Sequence, residues 1–443
     1  MGTGLLKILV LMVASMNCLA PSSASSFFKD KPWERRKPIL SVSATSSSFA
    51  SSSIVLPLQG NVYPNGKIAL ECICECFSEF YNVTLYVGQP PKPYFLDPDT
   101  GSDLTWLQCD APCQQCTETP HPLYRPSDDL VPCKDPLCMS LHSSVDHRCE
   151  NPDQCDYEVE YADGGSSLGV LVRDIFPLNL TNGDPIRPRL ALGCGYDQIP
   201  GSSYYHPMDG ILGLGKGAVS IVSQLHNQGI IRNVIGHCFS SRGGGYLFFG
   251  DDIYDSHRVV WTPMSRDYPK HYSPGLGELI FNGRSTGLRN LFAVFDSGSS
   301  YTYFNAQAYQ VLTSLLNREL AGKPLREAMD DDTLPLCWRG RKPFKSLRDV
   351  RKYFKPLALS FSSGGRSKAV FEIPMEGYLI LSSMGNVCLG ILNGTEVGLQ
   401  NSNIIGDISM HDKIVIYNNE KQAIGWATAN CDRVPKSRAA ATM

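Results

Sequence analysis

Phe95-Leu96-Asp97-Pro98-Asp99-Thr100-Gly101-Ser102 is the stretch on which the reading of this chain turns. An apolar lead-in ends in an aspartate, followed by a small hydroxyl residue, a glycine and a serine. Alone, such a run is a strand ending in a polar turn. It recurs in the other half of the chain as Phe292-Ala293-Val294-Phe295-Asp296-Ser297-Gly298-Ser299. A second element repeats with it, as Asp209-Gly210-Ile211-Leu212-Gly213 and Asn403-Ile404-Ile405-Gly406-Asp407. The glycine closing each apolar pair lies 114 residues beyond Asp99 in the first copy and 110 beyond Asp296 in the second. Apolar-apolar-glycine means little singly. Repeated at matched spacing, it indicates an internally duplicated fold that brings two carboxylates together.

Length agrees with duplication. At 443 residues the chain exceeds one ordinary core, so two lobes are expected. It is 42% hydrophobic and 19% charged, with 39 glycines and 30 prolines, as suits many strands joined by turns. The net charge of −3 gives no reason to expect a nucleic-acid or anionic-membrane partner.

Lys7 followed by Ile8 to Ala14 reads as a secretory signal peptide over 1–24, with small residues near Ala24 for cleavage. The apolar run is too short for a membrane span. The polar, basic tail after Cys431, with 436–443 at its end, argues against a lipid-anchor signal. No stable membrane anchor is expected. Residues 25–80 read as a pro-segment or linker with a basic knot at Arg35-Arg36-Lys37. Within it, 67–80 (KIALECICECFSEF) is an anomalous insertion or gene-model artefact that adds nothing to the fold. Its cysteines alternate too closely for neighbours to pair easily.

Sixteen cysteines occur. Setting aside Cys18, Cys72, Cys74 and Cys76 leaves an even number. A dense group runs from Cys109 to Cys155. Cys113-x-x-Cys116 admits a metal reading, but no second such pair or histidine pair completes a zinc site. A disulfide-stapled loop in an oxidising compartment is the preferred reading. Sequons at Asn82, Asn179 and Asn393 are compatible with the same route.

From Tyr81 onward short apolar runs alternate with Gly, Pro, Asn and Asp, beginning with a strand over 81–87. Helical periodicity is clearest over 218–228 and 306–320. The expected fold class is all-β and bilobal, a double β-barrel with few short helices and a central cleft. The lobes would span 81–255 and 256–435, with the boundary near 254–263.

With these motifs in place, the chain resembles the pepsin-like aspartic proteases, and more narrowly their plant nucellin-like branch. Asp99-Thr100-Gly101-Ser102, Trp106-Leu107-Gln108-Cys109-Asp110, Tyr161-Ala162-Asp163-Gly164, Asp296-Ser297-Gly298-Ser299 and the run from Ile404 to Trp426 carry the resemblance. It implies that Asp99 and Asp296 are the catalytic dyad. Hydrolysis without a covalent intermediate needs a base to activate water and an acid to protonate the carbonyl oxygen. Two adjacent carboxylates that cannot both ionise cheaply share one proton and supply both, with an acidic optimum; this dyad is a standard worked case.

The same resemblance implies supporting roles. Gly101 and Gly298 let amides point at the carboxylates, Thr100 and Ser297 cross-brace the two loops, and Ser102 and Ser299 bond the outer carboxylate oxygens. Tyr161 and Gly164 read by default as a plain hairpin. The resemblance makes that hairpin a flap over the substrate, with Trp106 bonding Tyr161. It also implies disulfides Cys337–Cys388 and Cys238–Cys431, no cofactor or metal, a polypeptide substrate and a monomer. Export would end outside the cell, in the wall, or in a vacuole. Some plant relatives are inhibitors of cell-wall hydrolases, so the alternative is a weakly active or inactive binding protein on the same fold. No Gly-x-Ser-x-Gly elbow or His-Glu-x-x-His occurs. Gly213-Leu214-Gly215-Lys216-Gly217 lacks the spacing of a phosphate loop.

Overall fold

The computed structural model describes residues 52–60, 81–142, 149, 153–199, 208–362 and 368–435. The stretches read as a signal peptide (1–24) and an anomalous insertion (67–80), the Arg35–Lys37 knot and the 436–443 tail lie outside the described residues. Two large sheets dominate. The first runs, in spatial order, Val260–Pro263, Ala423–Thr428, Lys413–Asn418, Val234–Ser240, Gly244–Phe249, β1 (Ile54–Gly60), β2 (Tyr81–Val87), β3 (Lys92–Asp99), Gly210–Gly213, β4 (Trp106–Gln108), Arg189–Ile199, β6 (Ser166–Ile175) and β5 (Asp156–Glu160). The second runs Lys368–Ile373, Leu357–Ser362, Gly275–Phe281, Leu291–Phe295, Ser402–Ile405, Thr302–Phe304 and Ile391–Asn393.

β2 shows why these segments are strands. Tyr81, Val83, Leu85 and Val87 are buried while the residues between them are less so, which is the period-2 signature of one face on a core. Helices are few, and the two expected from periodicity are both capped at their N-termini. In Ala306–Leu320, Asn305 accepts from the Ala308 amide, and Ala308, Leu312, Leu316 and Leu320 form the buried stripe. The other helix spans Ile221–Asn227 rather than 218–228, because Ser220 caps it by accepting from the Ser223 amide.

Each repeated Asp motif ends a strand paired in parallel with its apolar-apolar-glycine partner. β3 pairs with Gly210–Gly213, setting Gly213 beside Asp99. Leu291–Phe295 pairs with Ser402–Ile405, setting Val294 beside Ile404. The duplication read in the sequence is therefore a duplication of strand pairing.

Two expectations need correction. The linker 25–80 contains β1, which pairs with Gly244–Phe249 on one side and β2 on the other. Its pattern is blurred because both faces pack: Ile54 and Leu58 join one core cluster and Val55 another. Nor does a single cut near 255 separate the lobes. Lys413–Asn418 pairs with Val234–Ser240, and Ala423–Thr428 with Val260–Pro263, inside the first sheet. From there Trp426 stacks on Phe295 and packs against Phe361 and Phe371 of the second sheet. Its indole N–H donates to the Val370 carbonyl at 2.9 Å. The chain end thus joins both halves.

Six disulfides occur among the described residues. Cys133–Cys149 and Cys138–Cys155 staple the cysteine-rich loop, and Cys113 bonds Cys116. Cys109 leaves that group to pair with Cys194 on the neighbouring strand. Cys337 bonds Cys388, and Cys238 bonds Cys431 across 193 residues of sequence. A bridge closing so long a loop restricts the unfolded chain strongly. Replacing both Cys238 and Cys431 by serine is expected to lower the unfolding free energy by about 3–5 kcal/mol. Denaturant unfolding tests this, and an unchanged midpoint would refute it.

Candidate active site

The two loops that follow the repeated strands meet face to face. The Ser297 amide donates to Thr100 Oγ1 at 3.0 Å, and the Thr100 amide donates to Ser297 Oγ at 3.0 Å. Each hydroxyl then reaches past its partner: Thr100 Oγ1 donates to the Phe295 carbonyl at 3.2 Å, and Ser297 Oγ to the Pro98 carbonyl at 2.6 Å. Both hydroxyl residues are nearly inaccessible, so these four bonds act where water does not compete. The symmetry is the local consequence of a small hydroxyl residue after each aspartate. Pro98 and Phe295 take part through their carbonyls, which no sequence pattern marks.

The lock brings the carboxyls together, and a hydrogen bond joins Asp99 to Asp296. The Gly101 amide donates to Asp99 Oδ1 at 2.7 Å, and Ser102 Oγ donates to Asp99 Oδ2. In the second copy the Gly298 amide donates to Asp296 Oδ1 at 3.1 Å, and Ser299 Oγ to Asp296 Oδ2 at 2.9 Å. Burial, and then the negative charge of Asp296, push the Asp99 carboxyl up to about 7, against the pull of the Ser102 and Gly101 donors. Such a group retains a proton well above the usual carboxylate range.

Glycine is required because each loop passes under the other loop's carboxyl. A Cβ on Gly101 would stand 2.7 Å from Asp296 Oδ1, and one on Gly298 would stand 2.5 Å from Asp99 Oδ1. Alanine at either position must separate the pair. We expect Gly101→Ala and Gly298→Ala each to lower kcat roughly 10²-fold, the cost of displacing reacting groups by about an ångström. Near-normal kcat in either variant would show that the approach is not needed.

Tyr161 stands at the turn between β5 and β6. Its amide donates to the Gly165 carbonyl at 2.8 Å, and Gly164, at φ +85°, closes the turn in the left-handed region. The Trp106 indole N–H donates to the Tyr161 hydroxyl at 2.6 Å. The Asp99 charge acts on that hydroxyl, which places the hairpin tip near the first catalytic-motif carboxyl. Burial and then the Asp99 charge hold the phenol well above its usual range, so it stays neutral.

Among the sequons, Asn179 is exposed, whereas Asn393 is half-buried, caps a turn and donates to Glu396 at 3.0 Å. Asn82 lies in β2, between β1 and β3, with its Oδ1 buried. Two groupings of acid, histidine and cysteine occur among the described residues, at Cys138, His142 and Cys155 and at Asp331, Cys337 and Cys388. Their sulfurs are disulfide-bonded, which leaves no thiolate to ligate a metal.

Comparison with known proteins fits this geometry. Residues 81–251 match the xylanase inhibitor N-terminal domain family, and residues 284–428 the corresponding C-terminal family. An aspartic proteinase of Oryza sativa subsp. japonica is 46% identical over 407 residues, covering 88% of this chain and 94% of the relative. The chain belongs to the plant pepsin-like aspartic protease family. Another member of that family, aspartic proteinase 39 of Arabidopsis thaliana, is 29% identical over 79% of this chain and 74% of its own length. Among solved structures, edgp aligns with a TM-score of 0.65 at 17% identity, covering 87% of this chain and 96% of that one. Basic 7S globulin from soybean aligns at 0.63 and 15%, over 87% and 99%. These two share the fold.

Proposed function

We propose that this protein is an aspartic endopeptidase in which Asp99 and Asp296 together activate water for attack on a peptide carbonyl. The observation that carries the reading is the bonded carboxyl pair, held by the crossed Thr100 and Ser297 bonds. One carboxyl, ionised, takes a proton from water while its protonated partner donates to the carbonyl oxygen; the roles belong to the pair. The Gly101, Ser102, Gly298 and Ser299 donors fix where the carboxylate oxygens point. The Tyr161 hairpin closes over an extended polypeptide and excludes water. An acidic optimum follows from the shared proton. Six disulfides support a route through the secretory pathway to the cell exterior, wall or vacuole. The protein would act as a monomer.

The purified protein should cleave denatured globin at acidic pH and lose that activity on adding a pepstatin-type inhibitor. Absence of cleavage under any acidic condition would overturn the reading. The matching family is named for xylanase inhibition, which favours a second reading, a hydrolase inhibitor on the same fold. Inhibition of a xylanase by protein that cleaves nothing would select it.

A further inference from the structure

Asp97 stands beside the dyad with no task in the bonding scheme that holds the two carboxyls. Side chains alternate along β3, so Asp97 and Asp99 share a face of that strand, one residue pair apart. The charges acting on Asp97 are those of Asp99 and Asp296, both negative. Among the described residues no cation or hydrogen-bond donor is paired with it. Its neighbour on the adjoining strand is Ile211, which packs in the apolar group that includes Trp106 and Tyr161. Asp97 therefore shares the strand face of Asp99, next to a residue of the apolar group on which the hairpin tip packs.

The second lobe shows what the fold itself asks for at this place. Val294 precedes Asp296 as Asp97 precedes Asp99, and it pairs with Ile404 as Asp97 pairs with Ile211. Val294 is 5% exposed. An apolar side chain thus suits the duplicated position, whereas a half-buried carboxylate beside two others is unfavourable without a counter-charge.

We propose that Asp97 is a specificity-determining residue whose carboxylate pairs with the cationic side chain of a lysine or arginine next to the scissile bond of the substrate. This rests on the endopeptidase reading and adds a substrate class to it. A bound cation supplies the counter-charge that the free cleft lacks, in a site from which the flap excludes water. An uncharged side chain there leaves the carboxylate unpaired, and discrimination follows from that difference. Burial and the neighbouring carboxyls hold Asp97 well above the usual range. Preference for basic peptides should accordingly grow as pH rises and Asp97 ionises.

The test is a panel of peptides that differ only in lysine, arginine, norleucine or glutamate at the positions flanking the bond. For wild-type protein, kcat/KM for the best basic peptide should exceed that for its norleucine analogue by about 10-fold or more. Asp97→Val, the residue of the matched position, and Asp97→Asn, which keeps the volume, should each bring that ratio close to one. Asp97→Lys should turn the preference toward glutamate. A basic preference that survives in both Asp97→Val and Asp97→Asn would overturn the proposal, as would wild-type protein that cleaves without one. Failure of the wild type to cleave any peptide sinks the endopeptidase reading first. Asp97 is then judged by calorimetry on Asp296→Asn protein, where the basic peptide must bind more tightly than its norleucine analogue and lose that advantage in Asp97→Val.

Discussion

Asparagine at position 99 or 296 is expected to lower kcat by about 10²–10⁴-fold, the usual share of general acid–base catalysis. An amide is nearly isosteric with the carboxyl, so the Gly101 amide still finds an oxygen in Asp99→Asn and the Gly298 amide finds one in Asp296→Asn, while the Ser102 and Ser299 hydroxyls, which can accept as well as donate, turn to accept from the new NH2 group. What is lost is the exchangeable proton: an amide neither accepts one from water nor returns one to the carbonyl. KM should change little, because the cleft is otherwise intact. Stability should not fall, and near neutral pH it should rise in Asp99→Asn, since a carboxyl held up to about 7 is one whose charge is unfavourable where it sits. Loss of activity together with retained or increased stability separates chemistry from misfolding. Full activity in either variant would defeat the dyad mechanism, and strong destabilisation would show that the carboxyls hold the fold together.

The second large effect concerns acid. His237 is 1% exposed, and its Nε2 lies 3.0 Å from the Tyr417 hydroxyl. Burial pushes it down to about 3. His411 is 7% exposed, with Nε2 3.0 Å from the Tyr81 hydroxyl, and is pushed down to about 4, chiefly by burial. Both are bases whose folded pKa lies below the unfolded value near 6.5. Their contribution to stability is complete above 6.5 and is lost as pH falls from there toward 4 and 3, because the unfolded chain takes up the protons first. Each histidine contributes a slope of about 1.4 kcal/mol per pH unit in that window. Asp99 opposes them, since a raised carboxyl favours the folded state as pH falls below 7. Denaturation midpoints between pH 6.5 and 4 should flatten in His237→Gln and in His411→Gln relative to wild type. Identical slopes in all three proteins would remove the histidines from the acid response. For the proposed endopeptidase, activity and stability would then pull against one another, and its pH–rate profile is expected to peak in mild rather than strong acid.

Much of the candidate site is legible in the sequence. Asp99 and Asp296, their glycines and hydroxyl residues, and Tyr161 with Trp106 lie in short motifs whose residue types are forced by local chemistry: an amide must point inward, a hydroxyl must reach across, a hairpin must close. β2 is legible to its end residues, because one clean face meets one core. β1 is not, since packing on both faces erases its alternation. Asp97 is in plain sight two residues before Asp99, and period-2 alternation along β3 is the signal that sets it on the dyad face.

Other features depend on partners far away in the chain. Cys109 sits among the closely spaced cysteines, yet it bonds Cys194, because β4 and Arg189–Ile199 run side by side. The last two strands read as the end of a second lobe, yet their backbone amides find partners in Val234–Ser240 and Val260–Pro263 of the first sheet. The sequence by itself determined the residue types of both half-sites, through their repetition, and the all-β class, through short-range periodicity. Only the tertiary structure decided which strands lie together, how the chain end joins both halves, and that among the described residues no cation is paired with Asp97. Those outcomes come from hydrogen bonding and electrostatics between residues that no local pattern relates.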